Sequence, residues 1–359
     1  MIRVSVIPPW PEQLQNDVLF SLTGFLEWQA TARAAGFALH THDLLAPDDA
    51  DIVWCIDLAE DVFPLWAIRN LRRAGKPVVL QVLESPLVKP LSHHAALHTH
   101  FTSLLTYGPA GAGELHAHRY RIPVELSQVN EGLPYPARYP AAMMNTNQRA
   151  DLGRVSEAAK HPTLGGSSTG RRMRTWWAVQ RARRAELYSW RRRLARTAER
   201  FPEHTLDVYG RGWRGEFPGE RPYRGAAGAV PTSIIEVGLA LAEKLEVLGR
   251  YRFTIATENY RGYSNYISEK IIHPLLAGSV PVYLGDENIA SVVPPAAFID
   301  ARRFRDPARL LQYLAAFPEN AWHTAQRAGR AWLQTSNAQA FSGDAFARIA
   351  TQILAEVAI

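Results

Sequence analysis

The feature that most constrains this chain is an alternation in its first half. Three short apolar runs, "IRVSVI" (2–7), "DIVWCIDL" (51–58) and "PVVLQVLE" (77–84), have the length and β-branched content of strands. Between them lie "LFSLTGFLEWQATARAAGF" and "FPLWAIRNLRRAGK", helical patterns that stop at Gly36 and Gly75. Strands joined through helices of this size predict βαβ units and a parallel sheet, whose ligand sites lie at the carboxyl ends of the strands. Glu84 stands at one such end.

From Leu133 the text becomes irregular, and "LPYPARYPAAMMNTNQ" (133–148), with three prolines and no clear period, reads as an interdomain linker. A second alternation follows. "HTLDVYGRG" is a strand with a glycine turn, "TSIIEVGLALAEKLEVLGR" is helical, and "YRFTIATEN" is a strand. From Pro307 onward the patterns are helical. The expected fold class is α/β with two Rossmann-like domains, residues 1–150 and 151–359.

With 359 residues and 47% hydrophobic content the chain can bury two cores, so disorder is not expected. No run of about 18 uncharged apolar residues occurs and the start lacks the plan of a signal peptide, so a cytoplasmic location is expected. The lone Cys55, inside an apolar run, reads as a small core residue. The net charge of +6 is concentrated, since Arg171 to Arg200 holds eleven arginines against Glu186 and Glu199. Together with Trp176, Trp177 and Trp190, this segment reads either as a solvated helix face or as a surface that meets phosphates or an anionic membrane.

The stretch "NYISEKIIHPLLAGSVPVYLG" (265–285) reads as a capped helix leading into a buried strand. Ser268 suits the N-cap, Glu269 the first turn and Gly278 the C′ position. Lys270 is the odd residue, because a cation in the first turn opposes the helix dipole unless it meets an anion. Pro274 inside the helix is expected to kink it.

Around this stretch, Glu258-Asn259, "YISEK", "AGSVPVYLG", Asn288-Ile289, "AAFID" and Tyr313-Leu314 follow one another over about 60 residues. In order and spacing they resemble the donor-binding region of the α-1,3-fucosyltransferases, glycosyltransferase family 10. Upstream, "QVLESP" resembles the family's Glu-Ser-Pro segment, and "RAELYSWRRRL" before "LDVYGRG" resembles its diphosphate-contacting segment. Three positions depart from the family pattern: Thr257 replaces an aromatic residue, Asn265 an acidic one, and Ser268 a threonine.

The resemblance implies a glycosyltransferase B architecture and inverting transfer of L-fucose from GDP-fucose to a glycan hydroxyl. It casts Glu84 as general base. Arg184 with Tyr188, Glu258, Asn259, Tyr266, Ser268, Glu269 and Lys270 become donor-binding residues, with Lys270 and Arg184 on the leaving diphosphate. Arg181 and Arg183 are close alternatives to Arg184. No cofactor is implied beyond the donor, with a divalent metal at most stimulatory. The expected setting is a bacterial enzyme, cytoplasmic or peripheral at the inner membrane, and no nucleic acid. The alternatives are transfer of another sugar from a GDP donor, or an arginine-rich nucleic-acid binder. Tyr263, like Tyr266, serves equally to pack the loop or to stack on a ligand.

Two further clusters invite metal chemistry. Asp49 and Asp51 precede a strand, whereas metal-binding Asp-x-Asp pairs follow one, so they read as a solvated loop. His93, His94, His98 and His100 lie close together, but no cysteine or carboxylate completes a ligand set, and a neutral acceptor-side segment is the expectation.

Overall fold

The computed structural model describes residues 1–10, 14–58, 60–108, 116–201, 203–216, 221–223 and 239–358. Its first sheet is wholly parallel, in the order β2-β1-β3-β4-β5-β6. These strands are β1 (Ile2–Ile7), β2 (Phe37–Thr41), β3 (Ile52–Ile56), β4 (Val78–Gln81), β5 (Ser103–Thr106) and β6 (Ala117–Arg119). The second sheet, also parallel, runs β11-β10-β9-β7-β8. Its strands are β7 (Tyr139–Met144), β8 (Asp207–Tyr209), β9 (Tyr251–Thr257), β10 (Val280–Leu284) and β11 (Ile299–Asp300). Both faces of this sheet are covered: Val280 and Val282 pack on one side and Tyr283 on the other. That is why β10 reads as an unbroken apolar run.

The three sequence strands of the first half are β1, β3 and β4. Strands β2, β5 and β6 were not expected, being only three to five residues long. The linker reading of 133–148 also gives way, because Tyr139–Met144 is an interior strand between β9 and β8. Pro140 is tolerated at its start, where the pairing with β8, which begins at Ala142, has not yet formed. Part of the helix expected around 232–250 lies outside the described residues; Leu239–Leu248 is helical.

The two cores do not divide at residue 150. The last helix, Gly343–Val357, returns to the first sheet and packs against helix Phe25–Ala34. Phe346 lies 5.3 Å from Phe25 and 6.0 Å from Trp28, ring to ring. Val155, Ala182, Ala185 and Tyr188 join the same core. Cys55 sits in this core too, where burial pushes its thiol well above the usual value.

Candidate active site

Three residues past the end of β4, Glu84 is held by its main chain. Its NH donates to Asp57 Oδ2 at 3.0 Å, and the NH of Leu83 donates to Asp57 Oδ1 at 3.1 Å. Its carbonyl accepts from the Tyr107 hydroxyl at 2.7 Å and from His93 Nε2 at 2.8 Å. Asp57 follows β3 directly and takes φ 60°, a left-handed conformation that Asp tolerates. The half-buried Glu84 carboxyl is thus aimed by its neighbours on both sides. Burial and then the Asp57 charge push its pKa up to about 7, with Lys270 holding it down.

The counterpart comes from the second sheet. Ser268 caps helix Glu269–Leu276: its hydroxyl accepts from Lys270 NH at 3.4 Å and from Lys270 Nζ at 3.1 Å, while donating to Glu258 Oε2 at 2.7 Å. Glu258 Oε1 accepts the Ser268 NH at 2.9 Å. Lys270 Nζ lies 3.7 Å from Glu258 and 3.4 Å from Glu269. Burial works against the Lys270 ammonium, but Glu269 and Glu258 outweigh it and raise its pKa. Glu269, which burial alone would raise, is held low by Lys270, Lys244 and His273. At the far end Gly278 takes φ 67°, and Ser279 NH donates to the Pro274 carbonyl at 2.9 Å, closing a Schellman turn. Pro274 falls in the last turn, two residues before the helix ends.

Aromatic rings join the halves. Tyr263 lies 4.8 Å from His93 and 5.8 Å from Tyr107, and Tyr266 lies 5.3 Å from Tyr107. Gly108 is what admits Tyr263, since a Cβ there would lie 2.3 Å from the ring. Tyr263 therefore packs the loop. Tyr188 is buried, and its hydroxyl senses both Glu84 and Lys270. Asn265 takes φ 64°, its NH donating to Asp286 Oδ2 at 2.8 Å and its side-chain oxygen accepting from Arg121 at 3.0 Å. The asparagine at this departure from the family pattern suits a left-handed backbone.

Arg184 is not brought to Lys270. It lies exposed at the end of helix Ser168–Ala185, lining a separate cleft with Trp177, Arg181 and Tyr260. The arginine that the fold delivers is Arg191, three residues past Tyr188 on the buried side of helix Tyr188–Ala198. Its guanidinium donates to Thr257 Oγ1 (2.7 Å), the carbonyls of Thr257 (2.6 Å) and Glu258 (2.8 Å), and Asn259 Oδ1 (3.0 Å). Those bonds consume it as a scaffold for the Glu258-Asn259 turn. The helix break at Glu186, which bridges to Tyr260, sets this register.

Sequence reasoning missed Asp57, Arg191, Lys244 and His273. A Gly-less turn after β3 was the only signal for Asp57, and eleven arginines hid Arg191. His273 is one turn beyond Glu269, and its Nδ1 is buried without a hydrogen-bond partner among the described residues. Asp49 and Asp51 are exposed, and Asp51 accepts from Arg3 NH at 2.7 Å. The histidines disperse: His98 Nε2 faces the Ser92 carbonyl at 2.8 Å, His100 meets Arg69 at 3.2 Å, and burial drops His93 to about 3. Among the described residues no group of three or more His, Cys, Asp or Glu converges as for a metal ion.

Two parallel-sheet Rossmann-like units with a capped, lysine-bearing helix start at their junction define the glycosyltransferase B fold. The backbone of an α-1,3-fucosyltransferase crystal structure superposes with TM-score 0.51 over 98% of this chain and 90% of that one, at 14% identity. HepE from Anabaena, in complex with UDP and glucose, gives 0.52 over 99% and 100%, at 9% identity. Likeness this distant shows the fold alone. Residues 175–338 match glycosyltransferase family 10 (fucosyltransferase) C-term. Over 119 residues it is 36% identical to human α-(1,3)-fucosyltransferase 4, covering 32% of this chain and 18% of the relative. Over 78 residues it is 30% identical to the Helicobacter pylori α-(1,3)-fucosyltransferase FucT, covering 22% and 16%. A putative fucosyltransferase-like protein of Arabidopsis thaliana is 39% identical over 80 residues, covering 21% and 15%. The matched segments thus span less than a fifth of these relatives' own length.

Proposed function

We propose that this protein transfers L-fucose from GDP-fucose to a hydroxyl of a glycan, with inversion at the sugar C1. The observation that carries the reading is the meeting of Glu84, on the first sheet, with the Ser268–Lys270 helix start of the second, within reach of each other's charge. A carboxyl with a pKa of about 7 is suited to general-base work at neutral pH. In the reaction Glu84 takes the acceptor hydroxyl proton, and the oxygen forms a bond to C1 as the C1–O bond to the β-phosphate breaks on the opposite face. GDP departs with the bonding electron pair. Negative charge grows on the diphosphate, where Lys270 and the amides of the helix start are fixed beforehand.

Glu269, ionised and acceptor-only, suits hydroxyl groups of the ribose rather than phosphate. Lys244, which faces Glu269 from helix Leu239–Leu248, takes the supporting role first expected of Arg184. Asn259, which accepts from Arg191, and Tyr188, whose ring lies 5.2 Å from that guanidinium, are assigned to the donor side, and Glu258 acts through Ser268. The acceptor enters from the first unit, where an open cleft beside Lys89 is lined by Trp10, Glu60 and Asp61. The relatives' printed names support a fucosyl donor.

Thermal unfolding with GDP, UDP, CMP and GDP-fucose tests the reading. A ligand at about 100 times its Kd stabilises the native state by about 2.7 kcal/mol. Stabilisation by GDP and GDP-fucose alone is expected. A GDP response without further effect of the fucosyl group points to another GDP-sugar, and no response to any nucleotide defeats the donor-site assignment.

A further inference from the structure

Helix Ser168–Ala185 buries one side only. Ala182 and Ala185 are buried in the first core, and Ala178 packs against it. At about 100° per residue, Met173, Trp176 and Trp177 fall together on the opposite side, at i, i+3 and i+4. They are 58%, 54% and 57% exposed, and the two indoles pack edge to face with centroids 4.7 Å apart. On the same helical projection Arg172 and Arg183 flank this stripe on one side and Arg181 on the other, while Arg184 extends it. All four are exposed, and among the described residues none has a carboxylate within ion-pair distance.

We infer that this face is a docking surface for an anionic lipid bilayer. Adjacent exposed tryptophans bordered by arginines without a carboxylate partner match the two layers of a membrane interface: indoles at headgroup depth, guanidiniums on lipid phosphates. The helix lies in the plane of the surface, and no described helix is long and apolar enough to cross a membrane. Single-stranded nucleic acid fits less well. Stacking platforms require aromatic faces along a groove, whereas the two indoles here meet edge to face and the third apolar side chain of the stripe is methionine.

The docking face is stitched to the donor side of the site. Leu187 NH donates to the Asn259 carbonyl at 3.1 Å, and Arg261 NH to the Ala185 carbonyl at 2.9 Å. The Arg261 guanidinium donates twice to the Arg184 carbonyl, at 3.1 and 2.9 Å. Docking therefore sets the Asn259–Arg261 segment against the lipid surface. Taken with the proposed transfer, on which this last step rests, the acceptor is a hydroxyl presented at an anionic membrane.

Flotation of the full chain with vesicles of 30% phosphatidylglycerol in phosphatidylcholine, against pure phosphatidylcholine, tests the inference. Binding to the anionic vesicles at low salt, released at high salt, is expected. Arg172→Gln with Arg183→Gln should weaken it on the order of tenfold or more, and Met173→Ser with Trp176→Ser should do the same. Both variants should keep the wild-type thermal shift with GDP, which reports folding independently. Equal binding to neutral vesicles, no binding to either, or capture of single-stranded DNA in place of vesicles overturns the docking surface. Loss of the GDP response in the wild type overturns the donor site and leaves the flotation result standing.

Discussion

Glu258 grips Ser268 with both carboxylate oxygens, accepting the main-chain NH at 2.9 Å and the hydroxyl at 2.7 Å. The grip fixes the start of the helix whose second residue is Lys270, and it leaves a buried negative charge 3.7 Å from that ammonium. Glu258→Gln removes the charge and turns one acceptor into a donor facing a donor. Destabilisation of about 2 kcal/mol is expected, with roughly tenfold weaker GDP binding. Urea midpoints and GDP titration check it; unchanged GDP affinity would detach Glu258 from the donor site.

Lys270→Ala takes away the cation nearest the proposed diphosphate. Its expected effect is a loss of about 100-fold in kcat/KM for transfer, with weaker GDP and GDP-fucose binding. A variant that loses turnover but binds GDP as tightly as wild type would place Lys270 away from the phosphates.

Glu84 links activity to pH. Its carboxyl titrates near 7 in the folded chain, so transfer should fall about tenfold per pH unit below that value. Glu84→Gln should abolish transfer and spare GDP binding. The stability effect has the opposite sense. A carboxyl whose folded pKa is raised contributes stability below its unfolded pKa, near 4.3, and loses it as pH rises towards 7. The glutamine variant should therefore be more stable than wild type at pH 8, by about 1 kcal/mol after solvent screening, and equal to it near pH 4. Retained transfer by the variant would remove Glu84 from the base role.

Arg191 is 2% exposed and makes four hydrogen bonds to residues 257–259. Arg191→Met should destabilise by about 3 kcal/mol or more by leaving buried acceptors unpaired. Calorimetry measures it, and a change under 1 kcal/mol would show that the turn holds itself.

Phe346 sits on the last helix but packs on Phe25, Trp28 and Tyr120. Phe346→Ala should cost about 3–5 kcal/mol and expose helix Phe25–Ala34 to hydrogen exchange. Protection lost only in the second sheet would contradict the shared core.

Much of the second half was readable from local chemistry. Ser268 as cap, Gly278 as C′ residue and "SVPVYLG" as a buried strand follow from side-chain and backbone preferences that act within a few residues, and the structure shows each. Glu84 at a strand end was legible for the same reason. Pro274 was placed correctly in the helix, but its position in the final turn makes the end of the helix, rather than a bend within it, the relevant consequence.

What depends on distant residues was not readable. Tyr139–Met144 looks like a linker because its prolines dominate locally, yet β9 and β8 on either side supply its hydrogen-bond partners. Arg184 and Arg191 are equivalent as letters; only the Glu186–Tyr260 bridge and the helix register beyond it decide which one is buried against Thr257. Asp57 is an unremarkable strand-end residue until the Leu83 and Glu84 amides are folded onto it. The sequence by itself determined the long apolar strands β1, β3, β4, β9 and β10, the caps around Ser268 and Gly278 and the residue types available for chemistry, because propensity and periodicity are short-range. The tertiary structure decided which charges meet across the two sheets, because electrostatic strength depends on burial and distance between groups far apart in the chain.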